Sequence, residues 1–326
     1  MTEFIFFRKQ YDFPNAHFIQ FDGQLSVCDG DTTIAFLQVR DGRRLVPSQT
    51  CLASTVISKP RELIEYAVRS LAASMAGQSS AQPTSISEFP QAIARAVRDV
   101  ERRLNQHATS LAKSFRWRCN AHGTAQVLKT ELAPFFWSLD GTTWFPVYSS
   151  SVFEPIEWQF EILDHVIEPE EGPYQAPDPE PLAFELLMEA RQLQYDNPRS
   201  ALVVAVAAAE VGTKRCLQFV DPGIAAVLES VDCPPMLDLL DRYYPENSTG
   251  QIVPSIVEEL RKAISERNRL VHTGKFTLSR EQVRRRLSAI EDLLRLFDMQ
   301  MGNEWAANFL TGKVRKQLGL PLLSLP

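Results

Sequence analysis

Long apolar runs are missing from this chain of 326 residues. The longest, Ala201 to Ala209, has nine residues, about half of the ~18 that suggest a membrane span. No membrane partner is expected. The opening Met1-Thr-Glu-Phe-Ile-Phe-Phe-Arg8 carries an acid and only four apolar residues in a row, which does not fit a secretory signal. Cysteine is sparse: five, at positions 28, 51, 119, 216 and 233, scattered and odd in number. That excludes a disulfide framework and suits a reducing cytoplasm. No phosphate-cradling P-loop, Gly-x-Gly-x-x-Gly or Gly-x-Ser-x-Gly is present, which removes the common nucleotide and serine-hydrolase signatures. Cys119-Asn-Ala-His122 has half the spacing of a zinc site and no second half, so neither a metal nor another cofactor is expected.

Excess charge is also small, at −6, and it is concentrated. Residues 1–167 hold 16 Lys and Arg against 17 Asp and Glu, and residues 182–326 hold 18 of each. Between them, Glu168 to Pro181 packs five acids and five prolines into fourteen residues with no base. Proline cannot continue a helix or a central strand, and like charges repel, so 168–181 reads as an extended linker between two domains.

Residues 1–167 read as an α+β domain. Phe4–Phe7, Phe18–Phe21 and Thr33–Val39 are strand-like, with Asp-Gly turns at 22–23 and 41–42. Apolar residues recur at i+4 from Lys59 to Ala76, and Phe89 to Ser114 is a second helical stretch. Strands are expected again at 125–132, 134–139, 143–147 and 158–163.

Residues 182–326 read as an all-α bundle of four or five helices. Leu182–Tyr195 is one helix. Asn197-Pro198 is a cap followed by a first-turn proline, opening another to about Phe219. Its run Ala201–Ala209, apolar all round, predicts the central buried helix. Val253–His272 is a third, with Val253, Val257, Leu260, Ile264 and Val271 as its inward stripe. Ser279-Arg-Glu-Gln282 is a capping box for the next, with Val283, Leu287, Ile290 and Leu294 inward.

The third of these helices ends in Glu266-Arg-Asn-Arg-Leu-Val-His272. At about 100° per residue, Asn268 and His272 share a face, while Arg267 and His272 lie about 140° apart on opposite flanks of the apolar stripe. His272 stands at a helix C-terminus, where the macrodipole favours imidazolium, and imidazole titrates in the range that suits proton transfer. From Arg261 to Arg286 there are nine bases and two acids, the footprint of a polyanion. Arg269, Lys275, Arg280 and Arg284 are the expected contacts to that polyanion. A second motif, Glu210-Val-Gly-Thr-Lys214-Arg215, closes the apolar run. A carboxylate there needs a cation. Lys214, one turn on, is one candidate partner. Arg267 on a facing helix is the other, and a Glu210 pair would steady its guanidinium while leaving donors for a phosphate.

Arg267-Asn268-x-x-x-His272 on a late helix of an α-bundle, with Glu210-x3-Lys214-Arg215 on an earlier one, resembles the HEPN superfamily over roughly residues 182–310. The resemblance implies a metal-independent endoribonuclease that works as a homodimer, with Arg267 and His272 as the catalytic pair, Asn268 as the accessory polar residue, Glu210, Lys214 and Arg215 in support, and RNA as the polyanion. It also implies a setting as a toxin or an antiphage abortive-infection effector, in which the N-terminal domain senses a trigger or selects the RNA. Such a reaction needs an acid, a base and positive charge on the phosphorane. One chain offers one His, so a two-fold pair of chains would build a composite site. The competing expectations are a HEPN-like module that grips RNA or a nucleotide without cutting it, and a purely structural dimerisation domain.

Overall fold

The computed structural model describes residues 4–13, 24–29, 32–41, 44–58, 84–85, 91–118, 128, 135–138, 145–148, 179–225, 228, 235–244, 252–273 and 277–321. The expected strands at 18–21 and 158–163, that at 125–132 apart from Leu128, the expected helix at 59–76 and most of the acidic stretch lie outside these residues, as do Cys119, His122 and Lys275. Two compact units divide the chain: Met1–Ser114 with Gln126–Pro179, and Phe115–Ala125 with Glu180–Pro326.

In the first unit, strands β1 (Phe4–Phe13), β2 (Gln24–Asp29), β3 (Thr32–Asp41), β4 (Arg44–Ser58), β5 (Thr84–Ser85), β6 (Phe135–Ser138) and β7 (Phe145–Tyr148) form one sheet in the order β2-β3-β4-β1-β6-β7-β5. All neighbours are antiparallel except β5 and β7. On β1, alternate residues Phe7, Lys9 and Tyr11 are buried, as a period of two requires for one face. That face meets helix α1 (Gln91–Arg118). Tyr11 Oη donates to Asn105 at 2.8 Å and Lys9 Nζ pairs with Glu101 at 2.5 Å. Burial pulls the Lys9 pKa down, and the Glu101 carboxylate opposes the fall. The α1 stripe Ala94, Val97, Val100, Leu104 and Ala108 is buried at helical spacing.

In the second unit every described element is helical: α2 (Leu182–Asp196), α3 (Pro198–Val220), α4 (Met236–Tyr243), α5 (Pro254–Thr273), α6 (Arg280–Gln300) and α7 (Gly312–Gln317), with short 3-10 turns at Pro222–Ile224 and Glu304–Phe309. The single residue Asn197 joins α2 to α3, and its Oδ1 accepts from Ser200 N at 3.2 Å. The α6 capping box is formed in both directions, Gln282 N to Ser279 Oγ at 3.2 Å and Ser279 N to Gln282 Oε1 at 2.9 Å. Val283, Leu287, Ile290 and Leu294 of α6 are buried, as their spacing requires.

Two expectations about burial fail. The apolar run of α3 is not enclosed all round: Val203 is 37% exposed. The most enclosed helix is α6, with 13 of its 21 residues buried, five of them charged. Charge does not bar α6 from the interior because its charged groups find partners there. Glu291 meets Arg191, Asp292 accepts from Thr311 N and Oγ1 at 2.8 and 2.7 Å, and Arg295 donates to the Trp117 carbonyl at 3.0 Å. On α5 the buried stripe is Ile256, Leu260, Ala263 and Leu270. Val271 sits about 100° beyond Leu270 and is 60% exposed instead of inward.

The last turn of α1 belongs to this second unit. Trp117 is fully buried among Phe184 and Trp305, and its Nε1 donates to Asp298 at 2.9 Å. Arg116 is buried in an ion pair with Glu180. The final residues of the acidic stretch, Glu180 and Pro181, are thus packed rather than extended into solvent. Among the described residues no helix is long and apolar enough to cross a membrane. Cys216 is buried on α3, where loss of solvent pushes its thiol up to about 12 and keeps it neutral.

Candidate functional site

Helix α5 carries the Arg-x4-His segment. It begins at Pro254, where a missing N–H costs nothing. It remains helical through Thr273, whose Oγ1 donates back to Arg269 O at 2.6 Å. The last turn therefore does not loosen to swing Arg267 round to His272. Arg267 turns to α3 instead: its Nη2 donates to Glu210 Oε1 at 2.5 Å. The two side chains are 29% and 40% exposed, so the pair lies at the surface with one edge covered. This is the partner for Glu210 that its position beside an apolar run demands. Asn268, Arg269 and His272 are all exposed.

Lys214 and Arg215 do not join this pair. Arg215 Nη1 lies 3.6 Å from Asp298 Oδ1, and its guanidinium stands over the Trp117 ring at 5.9 Å. It serves the anchoring of Trp117. Lys214 is half-buried and makes no ion pair among the described residues.

The basic stretch is more neutral than its count suggests. Arg286 is internal, 6% exposed, and engaged by Glu259 and Glu266. Arg284 is exposed but donates to Glu281 at 2.9 and 3.0 Å, and Arg285 lies 3.9 Å from the same carboxylate. Lys262 pairs with Glu258 and Glu259. Two of these acids, Glu258 and Glu259, lie just before Arg261, outside the counted window. Arg261 and Arg280 are exposed and make no ion pair among the described residues. Arg269 is exposed as well.

Glu266 and Arg286 stand in the sequence as an acid and a base of this stretch, but their pairing does not show there. The partial signal is Glu259, seven residues before Glu266, which puts two carboxylates on one face two turns apart without naming the cation between them.

The arrangement can hold a guanidinium beside solvent with donors to spare, next to an exposed amide and an exposed imidazole on one helix end. Among the described residues no group of three or more His, Cys, Asp or Glu is gathered as a metal site would need. In comparison with known proteins, no family model matches the chain, and no curated protein or solved structure matches it either.

Proposed function

We propose that residues 182–310 form a HEPN-type endoribonuclease that cleaves RNA as a homodimer, following an α+β N-terminal domain that senses a trigger or selects the RNA. The Arg267–Glu210 pair carries this reading. A guanidinium held by one carboxylate through Nη2 keeps its other donors oriented, which is what stabilisation of a pentacovalent phosphorane asks of it. A neutral or mobile side chain would do neither.

In the proposed reaction the RNA 2′-hydroxyl loses its proton to a His272 imidazole and attacks the adjacent phosphorus. The P–O5′ bond breaks, and the leaving 5′-oxygen takes a proton from an imidazolium, the His272 of the second chain. The products are a 2′,3′-cyclic phosphate and a 5′-hydroxyl. Arg267 neutralises the phosphorane, Asn268 donates to a phosphate oxygen, and Arg269, Lys275, Arg280 and Arg284 hold the flanking backbone. The exposed Val271, next to His272 in the chain, supports pairing of chains at this helix end, since an apolar side chain there gains by leaving water.

The test is cleavage of single-stranded RNA by purified protein in excess EDTA, with light scattering for chain number. The expected result is a dimer that yields cyclic-phosphate ends. Arg267→Ala and His272→Ala each abolish cleavage with an unchanged circular dichroism spectrum, and Glu210→Gln lowers kcat. Cleavage surviving both alanine variants overturns the reading. Equal RNA affinity of wild type and His272→Ala, with no products from either, establishes a binding module instead.

A further inference from the structure

Adjacent residues of α5 are gripped by different helices. Arg267 is held from α3. Glu266, about 100° round the axis, is held from α6 by Arg286, through Nε to Oε2 at 3.0 Å and Nη2 to Oε1 at 2.8 Å. The remaining nitrogen, Nη1, donates to Glu259. One planar guanidinium thus spans two carboxylates that lie seven residues apart on the same helix face. Lys262 Nζ, at 3.3 Å from Glu259, is the other cation of the cluster.

Such a cluster is a poor way to gain stability. A buried ion cluster is often matched or exceeded by apolar groups of the same volume, whereas a fork of fixed geometry specifies alignment. Apolar contacts between α5 and α6 would tolerate small rotations. A fork with both its carboxylates on one helix does not, because turning α5 breaks two points together.

We propose that Arg286 is a positioning residue for Arg267: by clamping Glu259 and Glu266 it fixes the rotation of α5 about its axis, so that Arg267 meets Glu210 with its other donors turned outward. The effect of Arg286 on cleavage rests on the ribonuclease reading; its effect on the orientation of Arg267 does not.

The experiment uses the full chain and the triple variant Glu259→Gln/Glu266→Gln/Arg286→Met, which removes the fork and leaves no buried unpaired charge. Three quantities are read: the melting temperature, the rate of Arg267 modification by p-hydroxyphenylglyoxal relative to the exposed Arg261, followed by peptide mass spectrometry, and kcat and KM for RNA cleavage. The expected triple variant melts close to wild type. Its Arg267 is modified several-fold faster, and its kcat is lower by about tenfold or more with KM unchanged, the pattern of a misplaced catalytic group. An unchanged Arg267 modification rate overturns the proposal. Faster modification with wild-type kcat overturns its catalytic half. If wild type itself does not cut RNA, the ribonuclease reading fails while the modification arm still decides the positioning. Should the triple variant not fold, Arg286→Lys provides the same readout, because an ammonium keeps the charge but cannot form the fork to Glu266 while spanning to Glu259.

Discussion

Arg267 gives one nitrogen to Glu210 and leaves the rest of its guanidinium at the surface, whereas all three nitrogens of Arg286 are engaged by carboxylates. One residue type is thus partly engaged at one position and wholly engaged at another within twenty residues of chain. A third pattern appears at Asp298. Its carboxyl is fully buried, faces Arg215 and Arg295 at 3.6 Å each, and accepts from the Trp117 indole. Burial outweighs these partners and pushes its pKa from 3.8 up to about 6. In the window between those values the folded chain binds a proton that the unfolded chain has lost, so this group's contribution to stability falls as pH rises through it. Relative to Asp298→Asn, which does not titrate, wild type is expected to lose about 2 kcal/mol between pH 4 and pH 7. Urea unfolding of both proteins at each pH measures the difference; a gap that stays constant would contradict it.

Packing between elements turns on Gly212. A Cβ built there would stand 2.2 Å from Leu294 Cδ2 and 3.4 Å from Ala183 Cβ, and Leu294 is itself buried. Gly212 lets α3 approach α6 closely. Overpacking in Gly212→Ala should cost about 1–3 kcal/mol against the ~1 kcal/mol that alanine brings to a helix interior, so the helical unit should lose up to about 2 kcal/mol net. Chemical denaturation followed at 222 nm reads the sign directly. The helices around this contact were largely visible in sequence because their signals are local: Asn197-Pro198 starts α3 and the Ser279–Gln282 box starts α6. The need of Glu210 for a cation was also visible, since an acid at the end of an apolar run must find one, but the sequence offered both Lys214 and Arg267. Elements that lack such marks were not. Helix α4 has only eight residues and no side-chain cap, and α7 has six. Nor could pattern reveal which acid Arg286 meets, because its partners lie 20 and 27 residues away on another helix. The burial of α6 was hidden for the same reason: a charged residue reads as solvent-facing until its tertiary partner is known.

At the scale of the whole chain, the helical unit is discontinuous, drawing Phe115–Ala125 from well upstream of Glu180. A chain cut at Leu182, where the sequence places the start of the helical domain, would lose Trp117. The indole fills space beside Phe184 and Trp305 and donates to Asp298 Oδ2, while the Trp117 backbone carbonyl accepts from Arg295 Nη1. Trp117→Ala in the full chain is expected to cost about 3–5 kcal/mol, seen as a lower melting temperature of the helical signal. Residues 182–326 alone should show the same loss together with dye binding by the exposed pocket. A fragment as stable as the intact unit would refute the anchoring role.

The separation of that anchor from its acceptor also sets a clock. Trp117 and Asp298 are 181 residues apart, and translation at about 5–20 residues per second puts Asp298 roughly ten to forty seconds behind Trp117. Throughout that interval the indole has no acceptor, and the nascent helices α2 to α5 lack the helix against which they finish packing. The helical unit is thus completed only after α6 has left the ribosome.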